Sequence, residues 1–371
     1  APVRIPALDG WRALAITLVM VSHAVLLGAP AGQLGRAAGY VAGHLGGTGV
    51  ALFFAISGFL ITTLLLNERK RAGRISLRGF YVRRALRIFP AAYLYLLCLA
   101  VLGPASWGEI ASSVFLFNNY WPDRSWYTSH FWSLAMEEHF YLFWPAALAA
   151  LSVQRAQALA GILIAATCVW RPWNLVHGSE AVPALQRTDM RLDAFLFACV
   201  LAILLRSHWR APLLRVLMAG WFRWSAVALL AATWAWALLG SAAGVKTLVE
   251  SALLPPLLVS VVLRPQSAVH RCLELAPLRW IGRISYGLYL WQQMFLQRGG
   301  SAEPQSILVE LPIRMTAIFL VATASFYLLE QPLVAFGRRW TGRDAGSASP
   351  GNIGSKHARS RTVAAGGRRV S

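Results

Sequence analysis

Arg12 and His23 are the two side chains of the first apolar run whose types suggest chemistry. They lie eleven positions apart, so on a helix both return to nearly one face, roughly 16 Å apart along the axis. Ionisable groups at membrane depth are costly and mark functional sites by default. The pair is therefore a candidate functional site, and the alternative is a snorkelling arginine with a packed structural histidine.

A second group of reactive side chains begins the fourth apolar segment. Ser133, Glu137 and Tyr141 are spaced by four residues, so they line one face of a helix. Glu138 lies one step round that helix. A carboxylate that hydrogen-bonds an imidazole raises its basicity, as a general base requires, so Glu137 or Glu138 is predicted to orient His23. The alternative is an acid pair that is solvated at a helix start, where the dipole favours it.

Arginines supply the third group. Arg84 and Arg87 are three residues apart and would share a helical face. With Arg12 they could form a pocket for the phosphates of a nucleotide-bearing substrate, because guanidinium groups bind phosphate in a bidentate manner. The alternative is that these cations only set the membrane topology.

A fourth cluster contains Asp189, Arg191 and Asp193 within one short segment. These three charges could neutralise one another, and a structural role is favoured over catalysis. Near the end of the last apolar run, Glu330 is expected to pair with one of the arginines.

Composition defines the class of protein that holds these groups. The chain of 371 residues is 57% hydrophobic and 13% charged, with a mean hydropathy of +0.52, which excludes a disordered or ordinary soluble chain and fits a polytopic helical membrane protein. The net charge of +20 does not indicate nucleic-acid binding, because the cations cluster between apolar runs. Four scattered cysteines and the lack of metal-binding motifs predict neither a disulfide framework nor a metal site.

Spans of roughly 20 apolar residues predict an all-α bundle of about ten transmembrane helices. The predicted helices are 11–27, 47–66, 89–102, 132–151, 158–170, 192–205, 224–239, 248–263, 281–296 and 307–329. The loop 67–88 carries eight basic residues against one acid, whereas loops 28–46 and 297–306 carry one basic residue each. Charge alternation therefore places both termini in the cytoplasm. Residues 1–335 form the predicted membrane domain, and 336–371 a basic, disordered cytoplasmic tail.

Taken together, these motifs resemble the membrane-bound acyltransferase family 3, the O-acyltransferases of bacterial cell-surface polysaccharides, peptidoglycan, nodulation factors and macrolides. The motifs are Leu8-Asp-Gly-Trp-Arg12 followed by His23, Gly49-Val-Ala-Leu-Phe-Phe-Ala-Ile-Ser-Gly-Phe-Leu-Ile61, Arg84-x-x-Arg87, and Trp132-Ser-Leu with Glu137, Glu138, Phe140 and Tyr141. One departure is Gln292, where the family often has histidine, so no role is assigned to it. The chain also lacks the hydrolase-like periplasmic domain of some members, so a separate partner is expected if the membrane domain does not complete the transfer.

The resemblance implies a multi-pass protein of the bacterial inner membrane that transfers an acyl group, acetyl first among the candidates. The expected donor is cytoplasmic acyl-CoA, the acceptor is a hydroxyl of a sugar or glycoconjugate, and no cofactor is permanently bound. Arg12, Arg84 and Arg87 would hold the donor phosphates. His23 would act as general base or carry the acyl group transiently, with Glu137 or Glu138 orienting it. The residues left as structural or acceptor-side candidates are Ser133, Tyr141, Arg191 and Asp193.

Two other classes remain open from the sequence. A transporter for a lipid-linked or polar solute would also place polar residues in a helical bundle, although no paired Gly/Pro-broken helices are visible in two matching halves. A membrane sensor or scaffold would leave the histidine and the carboxylates without a role. The sequence does not predict the oligomeric state, and nucleic acid is not an expected partner.

Overall fold

The computed structural model describes residues 5–28, 32–178, 183–238, 243–297 and 304–347, and across these ranges the chain is helical with no strand. The α-helices are α1 (Pro6–Gly28), α2 (Gln33–Ala72), α3 (Leu77–Leu102), α4 (Trp107–Val114), α5 (Trp126–Ser129), α6 (Phe131–Ala150), α7 (Val153–His177), α8 (Thr188–Arg191), α9 (Asp193–Leu204), α10 (Arg210–Met218), α11 (Gly220–Leu238), α12 (Ala243–Val262), α13 (Ala268–Leu273), α14 (Ala276–Phe295), α15 (Pro304–Ser325) and α16 (Gln331–Ser347). Two 3₁₀ turns, Asn118–Tyr120 and Ala184–Gln186, and a π-helical turn, Phe326–Glu330, join neighbouring helices.

Six helices of the described chain are long and apolar enough to cross a membrane, so the all-helical membrane class is confirmed. They are Pro6–Leu27, Gln33–Ala72, Leu77–Leu102, Val153–His177, Gly244–Val262 and Glu310–Trp340. The bent pair α10 and α11, which meet at 69°, would make a seventh span. Each of the ten predicted segments falls on a helix, but α9 is only 12 residues long. The total of ten spans and the cytoplasmic termini therefore stay predictions.

The helix that carries the first predicted pair, α1, lies between α2 and α14. A Cβ atom at Gly49 of α2 would lie 2.6 Å from the carbonyl oxygen of Ala15, and one at Gly282 of α14 would lie 1.8 Å from that of Asp9. Glycine at these two positions lets the backbones approach closely, as small residues do between helices in membranes. Both apolar cores of the molecule include side chains of α1 and α2, so α1 is held at the centre of the bundle.

The C-terminal end of the described chain is more ordered than its composition predicts. Helix α16 continues past residue 336 to Ser347 and packs on α3. The guanidinium carbon of Arg78 lies 5.4 Å from the centre of the Trp340 ring in this contact. The start of the tail predicted at 336 is therefore helical, and the rest of that predicted tail, 348–371, lies outside the described residues.

Candidate active site

Three of the predicted arginines meet in one cavity of 670 Å³ where α1, α3, α14 and α16 approach one another. We name it the arginine cavity; its charged lining residues are Arg12, Arg84, Arg87, Arg283 and Arg338 with Asp9 and Glu330. Five cations against two acids make a positive surface suited to a polyanion such as a chain of phosphates. The predicted grouping of Arg12 with Arg84 and Arg87 is thus found in the structure.

Glu330 enters this cavity at the end of the π-helical turn that joins α15 to α16. It is buried, accepts a hydrogen bond from Ser325 Oγ at 3.2 Å, and interacts electrostatically with Arg87. A π-turn widens a helix locally and is frequent at functional sites. The turn therefore directs the carboxylate toward the arginines, as the sequence led us to expect.

A narrower space of 80 Å³ continues from the arginine cavity toward the centre of the bundle. This linking cavity shares Arg12, Arg84 and Arg87 with the arginine cavity; its other polar lining residues are Ser57, Ser133, Glu137, Ser285, Tyr286 and Tyr289. Its far end is marked by Tyr289, whose hydroxyl lies 2.5 Å from Ser133 Oγ and which also lines the next cavity. Beyond the three arginines, the linking cavity is thus lined by hydroxyl groups.

Glu137 lies beside Arg84 at the arginine end of the linking cavity. Its carboxylate lies 3.4 Å from Arg84 Nη2, accepts a hydrogen bond from Ser57 Oγ at 2.6 Å, and accepts another from the Tyr141 hydroxyl. The Arg84 guanidinium carbon also lies 3.7 Å from the centre of the Tyr141 ring. Glu137 and Tyr141 share one helical face as predicted, and together they fix the position of Arg84.

The structure does not bring either predicted carboxylate to His23. The contacts of Glu137 go to its arginine-side neighbours, and Glu138 Oε1 is buried with no hydrogen-bond partner among the described residues. Glu137 lies one helical turn, about 6 Å, beyond Ser133, which marks the boundary at Tyr289. The expected Glu–His pairing is therefore not found, because α6 carries both acids past that boundary.

His23 lines a third space, a cavity of 300 Å³ that shares Val50 and Tyr289 with the linking cavity. We name it the histidine cavity. His23 is half-buried and its ring meets the Trp126 ring edge-on, with centroids 5.1 Å apart. Its Nδ1 atom has no hydrogen-bond partner among the described residues. A half-buried imidazole with a ring nitrogen left for a ligand fits a group that moves a proton or carries an acyl group.

A second imidazole, His130, lines the same cavity. Its Nδ1 is hydrogen-bonded to Gln293 Oε1, while Nε2 is buried without a partner in the described chain. Gln292 is fully buried beside His23, and its Oε1 also lacks a described partner. Sequence reasoning missed all three residues; the usable signal was two consecutive amides inside an apolar helix, where buried polar groups need partners.

The short segment around α5 holds Trp126 against His23. Glu109 of α4 accepts hydrogen bonds from Ser125 Oγ at 2.5 Å and Thr128 Oγ1 at 2.8 Å, and it forms a capping box with Ser106. Trp126 Nε1 in turn donates to the carbonyl of Gln293 at 3.0 Å. A buried carboxylate thus fixes one wall of the histidine cavity.

The three charged residues of the predicted cluster around residue 191 have different surroundings. Asp193 forms a buried ion pair with Arg171 at 2.5 Å, and Asp189 pairs with Arg187 at 2.6 Å. Arg191 instead lines the histidine cavity. Each aspartate thus has its ion pair with an arginine outside the predicted cluster, while Arg191 keeps an electrostatic interaction with Asp193; the helical path is interrupted at Leu192, between α8 and α9.

A family model described as "Acyltransferase domain" matches residues 5–330, which is nearly the whole chain. The chain belongs to this acyltransferase family. The grouping of three arginines, a linking cavity and a histidine is therefore the polar centre of an acyltransferase domain.

Curated relatives of this chain include two proteins named for peptidoglycan. The peptidoglycan O-acetyltransferase OatA of Listeria monocytogenes is 27% identical over 359 residues, covering 89% of this chain and 56% of the relative. The putative peptidoglycan O-acetyltransferase YrhL of Bacillus subtilis is 27% identical over 369 residues, covering 90% and 56%. A putative O-acetyltransferase of Staphylococcus aureus (strain COL) is 33% identical over 168 residues, covering 40% and 25%. The chain spans about half the length of the first two relatives, and no solved structure matches it.

The chain carries one more buried polar pair that sequence reasoning missed. Lys246 and Glu250 of α12 form an ion pair at 2.6 Å on the wall of the histidine cavity, and Lys246 Nζ lies 3.1 Å from Thr48 Oγ1. The signal was available, because lysine and glutamate four residues apart in an apolar helix are neighbours on one face.

Proposed function

We propose that this chain is an integral-membrane O-acyltransferase that moves an acyl group, acetyl first among the candidates, from acyl-CoA to a hydroxyl of a cell-envelope sugar or glycoconjugate. One observation carries the proposal: the arginine, linking and histidine cavities follow one another through shared lining residues, from Arg12, Arg84 and Arg87 to His23. A substrate with a polyanionic head and a long thin arm fits that sequence of spaces.

The arginine cavity would take the phosphates of the donor. Arg84 is held in place by Glu137 and Tyr141, so its guanidinium needs little reordering when an anion binds. The pantetheine arm would then pass Ser57 and Tyr289 through the linking cavity. Arg12 and His23 share α1 and are separated by eleven residues, roughly 16 Å along the axis, a span that suits a long flexible arm. The donor would enter from the cytoplasm in this proposal.

His23 would act on the thioester by one of two routes. As general base it removes the proton of the acceptor hydroxyl, whose oxygen attacks the thioester carbon; the carbon–sulfur bond breaks and the proton passes to the leaving thiolate. As nucleophile, its ring nitrogen attacks the thioester carbon, the carbon–sulfur bond breaks, and the ring N–H proton passes to the leaving thiolate; the acceptor hydroxyl then takes the acyl group and returns its proton to the ring. Unpartnered ring and amide atoms around His23 support either route.

The acceptor would be a sugar of the bacterial cell envelope, and the protein would reside in the cytoplasmic membrane. This part of the proposal rests on the names of the relatives, two of which refer to peptidoglycan. In this proposal a separate partner completes delivery of the acyl group if the membrane domain does not.

Release of coenzyme A thiol by the purified chain in lipid nanodiscs tests the proposal. With radiolabelled acetyl-CoA and N-acetylglucosamine, we expect wild-type release well above empty nanodiscs. His23→Ala should lose about 10²–10⁴-fold, the range that a general base contributes. His208→Ala is the matched control, because His208 is exposed and lines none of the three cavities. Undiminished turnover by His23→Ala, or no acetyl-CoA cleavage by the wild type, would contradict the proposal.

A further inference from the structure

Arg191 is a buried cation on the wall of the histidine cavity. The residue is 5% exposed, and its guanidinium carbon lies 5.8 Å from the ring centres of both Phe54 and Trp132. No described residue accepts a hydrogen bond from this guanidinium, and its Nε atom is fully buried. A buried charge without hydrogen-bond partners is costly, so a cation held in this way needs a ligand to complete it.

The carboxylates nearest to Arg191 are already engaged. Asp193 interacts electrostatically with Arg191, but its ion pair is with Arg171 at 2.5 Å. Glu250 interacts electrostatically with Arg191 but lies 2.6 Å from Lys246 Nζ. The other contacts of Glu250 are also filled within the described chain, by Thr48 Oγ1 and Trp234 Nε1.

The net charge of the residues that line the histidine cavity also favours an anionic ligand. With the imidazoles of His23, His44 and His130 and the hydroxyl of Tyr289 counted as neutral, its charged lining residues are Arg191, Lys246 and Glu250. Two cations and one carboxylate leave a net charge of +1 facing the space that His23 lines. A low-dielectric cavity strengthens the attraction of such a charge for an anion.

We propose that Arg191 binds an anionic group of the acceptor, a carboxylate or phosphate carried by the sugar. This contact would hold the acceptor hydroxyl in the histidine cavity, so the inference rests on the proposed function of His23. A planar guanidinium matches both anions through paired hydrogen bonds. The ring contacts with Phe54 and Trp132 use none of its N–H groups as donors to an oxygen, which leaves them for the ligand.

Equilibrium binding of three small sugars to the full chain in nanodiscs tests this inference. N-acetylmuramic acid and N-acetylglucosamine differ by a lactyl carboxylate, and N-acetylglucosamine 1-phosphate supplies the phosphate instead. Wild-type protein should bind at least one anionic sugar about tenfold or more tightly than N-acetylglucosamine, as expected for a charge-assisted bidentate contact. A tighter carboxylate sugar identifies a sugar acid as the source, and a tighter phosphate sugar identifies a sugar phosphate.

Arg191→Gln should reduce that preference to about twofold or less, and Arg191→Lys should retain part of it, because lysine keeps the charge without the fork. If Arg191→Gln does not fold, the loss of preference for the anionic sugar in Arg191→Lys tests the inference instead. Arg187→Gln is the matched control, since this nearby arginine pairs with Asp189 and does not line the cavity; it should keep the full preference.

Equal binding of all three sugars by the wild type would overturn the inference, as would a preference that both Arg191 variants retain. The measurement uses no acyl-CoA. Failure of acetyl-CoA cleavage with intact anion preference would therefore refute the proposed function, and the reverse pattern would refute only the role of Arg191.

Discussion

At the scale of single residues, Glu137 contacts a different partner from the one that its position in the sequence suggested. Sequence spacing suggested that it orients His23, whereas its carboxylate lies 3.4 Å from Arg84 and bonds Ser57 and Tyr141. Charge-assisted contacts of this kind position a guanidinium for its ligand. Glu137 is therefore best understood as a positioning residue for donor binding.

Glu137→Gln should accordingly raise the KM for acetyl-CoA about three- to tenfold while changing kcat little. Loosening Arg84 weakens ground-state binding of the donor, and uniform binding losses appear in KM. Steady-state kinetics on the nanodisc protein measures both values. Glu138→Gln is the comparison, because this adjacent acid lines none of the three cavities. A fall in kcat with unchanged KM would instead support the role in orienting His23.

The sequence predicted site residues well where one helix carries them. Arg84 and Arg87 lie three apart and do share a cavity with Arg12. The sequence did not identify His130 or Gln292, because their proximity to His23 depends on how α6 and α14 pack beside α1. That packing is set by contacts between distant segments, which no local spacing records.

At the scale of helices, the close approach of α14 to α1 decides whether the site is assembled. Gly282 and Gly49 allow that approach on the two sides of α1. Such glycines cannot be distinguished in the sequence from glycines that face open space. Gly161 in α7, for example, has no atom within 4 Å of where its Cβ would lie.

Gly282→Ala should therefore destabilise the protein, although glycine to alanine in a helix normally stabilises by about 1 kcal/mol. The added Cβ would lie 1.8 Å from the carbonyl oxygen of Asp9 and force α1 away; overpacking of this kind costs about 1–3 kcal/mol. Thermal unfolding in detergent should show a lower Tm than wild type and reduced acetyl-CoA cleavage. Gly161→Ala is the control with an unchanged or higher Tm, and equal Tm values for the two variants would contradict the packing account.

Helix positions were predictable because apolar runs and charged loops alternate along the chain, and each predicted segment falls on a helix. The break at Leu192 and the 69° bend between α10 and α11 were not predicted. No glycine or proline lies beside Leu192, so local propensity does not indicate that break, whereas Gly220 lies at the bend.

At the scale of the whole molecule, the proposed function assigns donor binding and chemistry to different cavities. The arginines gather at one end of the path, and His23, His130 and Arg191 line the other. It follows that damage at one end should be separable from damage at the other.

Equilibrium binding of coenzyme A, measured beside acetyl-CoA turnover in the same nanodiscs, tests this division most directly. We predict that the double variant Arg84→Gln, Arg87→Gln binds coenzyme A at least about 30-fold more weakly, the equivalent of roughly 2 kcal/mol. His23→Ala should bind it within about twofold of wild type and yet fail to turn over acetyl-CoA. Normal coenzyme A binding by the arginine variant, or an equal loss of binding in His23→Ala, would contradict the account.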